Sequence, residues 1–255
     1  MNQSERQLYL LRSLLAERPE YHDIAIPDSP QQQWLLLRAL MNVRPASPIS
    51  PEFQKVQDQF LQKISRDKQI VDSRQFAEGL SIWQGDITRL GVDAIVNAAN
   101  SGMTGCYLPN HNCIDNAIHT FAGIELRLYC DRLMKAQGHP EQTGKAKITP
   151  AYNLPSKYVI HTVGPIVEAK KPTEENRRQL AESYRNCLEL AAKNKLTSVA
   201  FPCISTGVFH FPNDLAAQIA VKTCREFLAR KTSIKKVIFD VFKDEDKQLY
   251  DQLLS

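Results

Sequence analysis

A chain of 255 residues with 43% hydrophobic and 24% charged side chains is long enough to bury a full core, and one domain with an extension suits that length better than two equal domains. Its 32 basic and 28 acidic side chains leave a net charge of +4 spread along the sequence, with no concentrated basic stripe, so no nucleic-acid partner is expected. No apolar run approaches the length of a membrane span, and the first residues alternate charge with leucine, which leads us to expect a soluble, cytoplasmic protein with no membrane partner.

Residues 1–78 read as a helical extension. Leu8, Leu10, Leu11, Leu14 and Leu15 form one stripe, Trp34, Leu35, Leu37, Leu40 and Met41 a second, and Phe53, Val56, Phe60 and Ile64 a third. Prolines and serines over 44–51 separate the last two. These stripes need cover, and residues 79–255 are the nearest candidate for it, with a second protein as the alternative.

From residue 80 the pattern changes to short β-prone runs, at 80–83, 94–98, 145–149, 158–162, 198–201 and 236–241. Several are apolar throughout, as strands covered on both faces must be. Helical spacing over 173–193 and 213–230 alternates with them, which gives a layered α/β class. The six cysteines are too sparse for a disulfide framework, and those at 130, 187, 203 and 224 lie among apolar neighbours, as reduced core residues do.

The loops after the strands carry the chemistry, because open α/β sheets bind ligands beyond their strand ends. Asp86, in Gly85-Asp86-Ile87-Thr88, either accepts from an amino group such as that of adenine or shapes a turn with Thr88. Asn97 and Asn100 each offer a donor and an acceptor, suited to ribose hydroxyls or to capping backbone. In Ser205-Thr206-Gly207-Val208-Phe209, successive backbone N–H groups are placed to cradle a diphosphate, and Phe209 either stacks on a ligand or packs on the core. Neither G-x-x-x-x-G-K-S/T nor G-x-G-x-x-G is present, which removes the main supports for an ATPase or a dinucleotide oxidoreductase.

Cys106, His111 and Cys113 offer two sulfurs and one nitrogen, a donor set suited to zinc with a fourth position left open. Their spacing is not that of a zinc finger. Asp115 and His119 follow at one helical turn from each other, so His119 is either a satisfied core histidine or a group that orients Asp115 or a substrate.

Together Gly85-Asp86-Ile87-Thr88, the run Val92 to Asn100, Ile114-Asp115-Asn116-Ala117-Ile118-His119 and Ser205 to Phe209 resemble a macrodomain over roughly 80–250. The resemblance implies a three-layer α/β/α fold with a mixed central sheet over 79–255, preceded by the helical extension. It also implies ADP-ribose binding, with Asp86 at the adenine amino group, Asn100 at the distal ribose, and Ser205, Thr206, Gly207, Val208 and Phe209 around the diphosphate; Ile87 and Asn97 complete the expected substrate-binding set.

Where many hydrolytic macrodomains have a glycine-rich loop, this sequence inserts Gly105 to Cys113, as do the zinc-containing microbial macrodomains. That subgroup implies a Zn2+ cofactor on Cys106, His111 and Cys113, and hydrolysis of mono-ADP-ribose from acidic side chains, with Asn100, Asp115 and His119 in the catalytic centre. The implied partners are an ADP-ribosylated protein, including a lipoylated glycine-cleavage-type carrier, with ADP-ribose as product. The alternatives are a reader module without catalysis and an O-acyl-ADP-ribose deacylase.

Overall fold

A computed structural model describes all residues, 1–255. Three helices come first, α1 (Gln3–Ala16), α2 (Pro30–Val43) and α3 (Pro51–Asp67). Asn2 and Glu5 form a capping box at the start of α1, and Ser50 caps α3 with Pro51 at its first position, so the local signals agree with the apolar stripes. Contrary to the expectation that these stripes lie mainly on the rest of the chain, they face one another. Leu11, Leu14, Leu37, Leu40, Phe60 and Leu61 share one cluster, and α5 (Ile124–Gln137) closes it with Ile124 and Leu128.

The main sheet has six strands: β2 (Gly79–Gln84), β4 (Ala94–Ala98), β5 (Ala146–Pro150), β6 (Tyr158–Thr162), β7 (Ser198–Phe201) and β8 (Lys236–Val241). Their spatial order is β2-β8-β7-β4-β6-β5, and only β5 runs antiparallel to its neighbour. The sheet is therefore mixed, as the sequence resemblance implies. A separate parallel pair joins β1 (Val71–Asp72) to β3 (Leu90–Gly91).

Both faces of the sheet are covered, which accounts for the continuously apolar strands. Ala94 and Val96 of β4 point toward α6 (Glu174–Lys193), α7 (Asn213–Leu228) and α8 (Asp244–Leu254), while Ile95 points to Ile118 of α4 (Ile114–Ala122) and Leu126 of α5. Helix α5 carries no clear helical stripe. Its opening Ile124, Glu125, Leu126, Arg127, Leu128 alternates with period two, and both charged residues are buried.

Five parallel strands bring their C-terminal ends to one edge. Asp86 follows β2, Asn100 follows β4, Gly164 follows β6, Ser205 follows β7 and Phe242 follows β8. This edge is the crevice that open α/β sheets offer to ligands.

Candidate active site

Beyond β7 the chain turns back on itself at Ser205, whose φ is 66°. The Phe211 amide donates to the Ser205 carbonyl at 3.0 Å, His210 donates to the Gly207 carbonyl at 3.0 Å, and Val167 donates to the Phe209 carbonyl at 2.8 Å. The loop is thus pinned through its carbonyls. The amides of Ser205, Thr206, Gly207 and Val208 donate to no acceptor within the protein, and successive free N–H groups of this kind make an anion-binding concavity. Gly164 supports the turn from below, where an added Cβ would run into Ser205 Oγ and the Ile204 side chain.

At the other end of the crevice, Asp86 Oδ1 accepts from the Thr88 amide at 3.0 Å and from Thr88 Oγ1 at 2.6 Å. Its Oδ2 accepts from Lys68 Nζ at 2.8 Å. Asp86 therefore shapes the turn with one oxygen and keeps spare acceptor capacity on the other. Burial would raise its pKa, but the bonds from Lys68 and Thr88 outweigh that and hold the carboxyl below the usual range. Lys68 itself lies over the Phe121 ring, 3.4 Å from its centroid. Ile87 follows directly in the same turn. Its side chain is buried in the core, so only its backbone is available to a ligand.

Asn100 is exposed and its amide is held in place. The oxygen accepts from the Gly102 amide at 2.9 Å, while Nδ2 donates to the Gly105 carbonyl at 3.1 Å and to Asp115 Oδ2 at 3.3 Å. Asn97, expected at the ribose, is instead 0% exposed and cannot touch a ligand. Its Nδ2 donates to Asp115 Oδ1 at 2.7 Å and also meets His161 Nδ1 at 3.1 Å. The reason is its place inside β4, where it points beneath the crevice and holds Asp115. Burial raises the Asp115 carboxyl to about 6, against the hydrogen bonds and the nearby Arg127 that favour its charge.

His119 also differs from expectation. It is buried, and its Nε2 is 3.6 Å from Asp115 Oδ1, too long for a hydrogen bond, and neither ring nitrogen has a partner. Burial holds its pKa well below the usual value, so the ring is neutral and makes no ion pair. It forms a floor under Gly105. There a φ of +87°, and the 2.8 Å that would separate an added Cβ from His119 Cγ, leave room for glycine alone.

Cys106, His111 and Cys113 come together on the loop between β4 and α4. Cys106 Sγ is 3.5 Å from His111 Nδ1, and all three donor atoms lie within 4.8 Å of one another. A tetrahedral zinc with bonds of about 2.3 Å to sulfur and 2.0 Å to nitrogen sets its ligands roughly 3.5 Å apart, so the donor set and spacing fit that ion. Cys113 is the N-cap of α4 and accepts from the Asn116 amide at 3.4 Å, a position that favours a thiolate. Burial nevertheless pushes its pKa up to about 12, with Cys106 and Asp115 adding to the rise, so the Cys113 thiolate is favoured at neutral pH only beside a cation.

Four residues near the crevice escape motif reasoning. Lys68 and Arg38 come from the extension, Arg127 from α5, and Phe242 is a 79% exposed aromatic at the end of β8. The exposure of Phe242 beside the Asp86 turn is the sole signal, and it exists only in the fold.

The Macro domain family matches residues 96–220. A protein-ADP-ribose hydrolase of Treponema medium is 52% identical over 100% of this chain and 100% of its own length. One from Staphylococcus aureus strain MSSA476 is 47% identical over 96% of this chain and 93% of its own. Among solved structures, the Trypanosoma brucei macrodomain in complex with ADP-ribose is 28% identical with a TM-score of 0.66, covering 90% of this chain and 97% of that one. The Oceanobacillus iheyensis macrodomain with ADP is 38% identical with a TM-score of 0.63, covering 69% of this chain and 89% of that one. With a relative this similar along its full length, and this sheet order, the chain belongs to the macrodomain family.

Proposed function

We propose that this protein hydrolyses the bond between mono-ADP-ribose and acidic side chains of modified proteins, with a zinc ion held by Cys106, His111 and Cys113. The observation that carries the reading is the meeting of two features at one edge of the sheet: the four free amides of the Ser205 loop and the thiol–imidazole cluster beside Asn100. The first binds; the second gives a reason to cut. The full-length relatives named protein-ADP-ribose hydrolase support the enzyme over the reader module.

In this mechanism the amides of Ser205 to Val208 hold the diphosphate, and Asp86 takes the adenine amino group on Oδ2 while Phe242 offers an exposed face to the base. Asn100, with its amide oriented by Gly102 and Gly105, is placed to fix the distal ribose. Asp115 holds Asn100 from beneath and is held in turn by Asn97, so the ribose meets a preformed surface. A bound zinc supplies Lewis acidity to a ribose oxygen or lowers the pKa of a water. The substrate protein stays at the open mouth of the crevice. In keeping with the resemblance, its class includes a lipoylated glycine-cleavage-type carrier, and we assign the activity to the cytoplasm.

The test is incubation with an aspartate-ADP-ribosylated protein, with and without a chelator, alongside an O-acyl-ADP-ribose. Release of ADP-ribose from the protein, lost on chelation and restored by zinc, is expected. Tight ADP-ribose binding without release over hours would instead make the protein a reader, and a strong preference for the small ester would make it a deacylase.

A further inference from the structure

The loop that carries Cys106, His111 and Cys113 has little regular structure of its own, and Asn110 within it adopts a φ of 53°. Three short ligand-bearing segments without a ladder would ordinarily sample many conformations. Here α2 of the extension restrains them. Arg38 Nη2 donates to the His111 carbonyl at 2.9 Å and to Asn116 Oδ1 at 2.8 Å, and its Nε donates to the same Asn116 oxygen at 3.2 Å. Asn116 Nδ2 in turn donates to the Leu108 carbonyl at 3.0 Å. Beside it, Asn42 Oδ1 accepts from the Asn110 amide at 3.0 Å and the Leu35 carbonyl accepts from Asn110 Nδ2 at 3.2 Å.

The other end of the loop is tied to the same helix. Arg127 donates to the Thr104 carbonyl at 2.7 Å and to the carbonyls of Met41, Asn42 and Arg44, while its guanidinium lies 4.2 Å from the Tyr107 ring centroid. It therefore satisfies the open carbonyls at the end of α2 and the start of the ligand loop together. Only one side chain, however, grips the loop between its second and third ligands. That side chain is Arg38, whose Nη2 serves both the His111 carbonyl and Asn116 Oδ1 while its Nε adds a second bond to the same Asn116 oxygen, a fixed two-nitrogen grip that a single lysine ammonium does not reproduce.

We infer that Arg38 is a positioning residue for the ligand set, so that the N-terminal extension is a working part of the site and not only a scaffold. The inference rests on the reading of Cys106, His111 and Cys113 as a metal site in its consequence for zinc, but its claim about loop order stands apart from any metal. Groups that orient ligands through a second layer of hydrogen bonds commonly change metal affinity or activity by about 10- to 100-fold when removed.

The test compares the full chain with Arg38→Met, Arg38→Lys and Glu17→Gln. Glu17 pairs with Arg44 within the extension and touches neither the loop nor the crevice, so its variant reports general loosening of the extension. In chelator-treated protein, site-resolved alkylation of Cys106 and Cys113 is expected to rise several-fold in Arg38→Met, to rise less in Arg38→Lys, and to match the unmodified chain in Glu17→Gln. In zinc-loaded protein, transfer of zinc to a chromophoric chelator is expected to quicken by about tenfold or more in Arg38→Met, and kcat is expected to fall more than KM rises. Equal alkylation in Arg38→Met and the unmodified chain overturns the inference, and so does an equal increase in Glu17→Gln. If the unmodified chain takes up no zinc, the metal reading falls, and the alkylation rates alone decide whether Arg38 orders the loop.

Discussion

Replacing Gln57 by Met tests whether the extension is built into the domain. Gln57, on α3, is 1% exposed, accepts from the Ile124 amide at 3.0 Å and donates to Glu125 Oε2 at 2.6 Å. It thus satisfies the first amide of α5 and one oxygen of a buried carboxylate. Methionine keeps the length and most of the volume, so the cost is chiefly that of two stranded polar groups. An orphaned buried amide costs about 1–3 kcal/mol and a lost bond to a charged group about 1.5–3 kcal/mol, which together give roughly 2.5–6 kcal/mol. For a chain of this size that is a fall in Tm of about 10 °C.

The pH dependence gives the sharper check. Burial raises the Glu125 carboxyl to about 6, against the donated bond from Gln57 that lowers it. A carboxyl raised above its unfolded value loses stability as pH rises from the unfolded value through the folded one, and removing Gln57 raises it further. The variant is therefore expected to be more destabilised relative to the unmodified chain at about pH 8 than at about pH 4.5, as measured by calorimetry at both. A loss below about 2 °C, or one equal at the two pH values, would refute the account of Gln57 as the seam between α3 and α5.

Cys113→Ser is expected to remove most bound zinc and most hydrolysis together, checked by elemental analysis and by release of ADP-ribose; undiminished turnover would rule the cluster out. Gly164→Ala drives a Cβ into Ser205 Oγ and is expected to weaken ADP-ribose binding by about tenfold or more by calorimetric titration, while Tm falls only modestly. At Asp93, burial would raise the pKa, but Lys157 and Thr197 outweigh it and hold the carboxyl at about 2. Its contribution is thus present above the usual carboxylate range and is lost as pH falls toward about 2, so Asp93→Asn is expected to lower Tm at about pH 7 and to converge with the unmodified chain in strong acid.

The sheet is legible in the sequence because its strands are short, apolar and covered on both faces, and the expected runs agree with β2, β4, β5, β6, β7 and β8 to within one or two residues. Helices α4, α6 and α7 carry clear caps or stripes. Helix α5 does not, since Glu125 and Arg127 occupy buried positions that a periodicity argument assigns to solvent. Both are there to meet the extension: Glu125 takes Gln57, and Arg127 takes the end of α2. The apparent defect in the pattern of α5 is the imprint of α2 and α3 on it.

The same logic separates what can be read of the site from what cannot. Asp86, Asn100 and the Ser205 loop lie within two to eight residues of a strand end, where the strand itself fixes their place. Asn97 is only three residues from Asn100 and meets the same Asp115 carboxylate, yet it lies inside β4 and is fully buried while Asn100 lies beyond the strand end and is exposed, so burial decides which of the two amides can also touch a ligand. Arg38 and Lys68 pose a different problem. Arg38 reaches Asn116 across 78 positions, and Lys68 reaches Asp86 across 18 with no strand to relay the register. A single cation on an amphipathic helix reads as a solvated face, and only the docking of α2 and α3 turns it inward. A site finished by side chains from an extension therefore looks incomplete in motif terms, and the missing part is found by asking where the helices' polar residues point once their apolar stripes are satisfied.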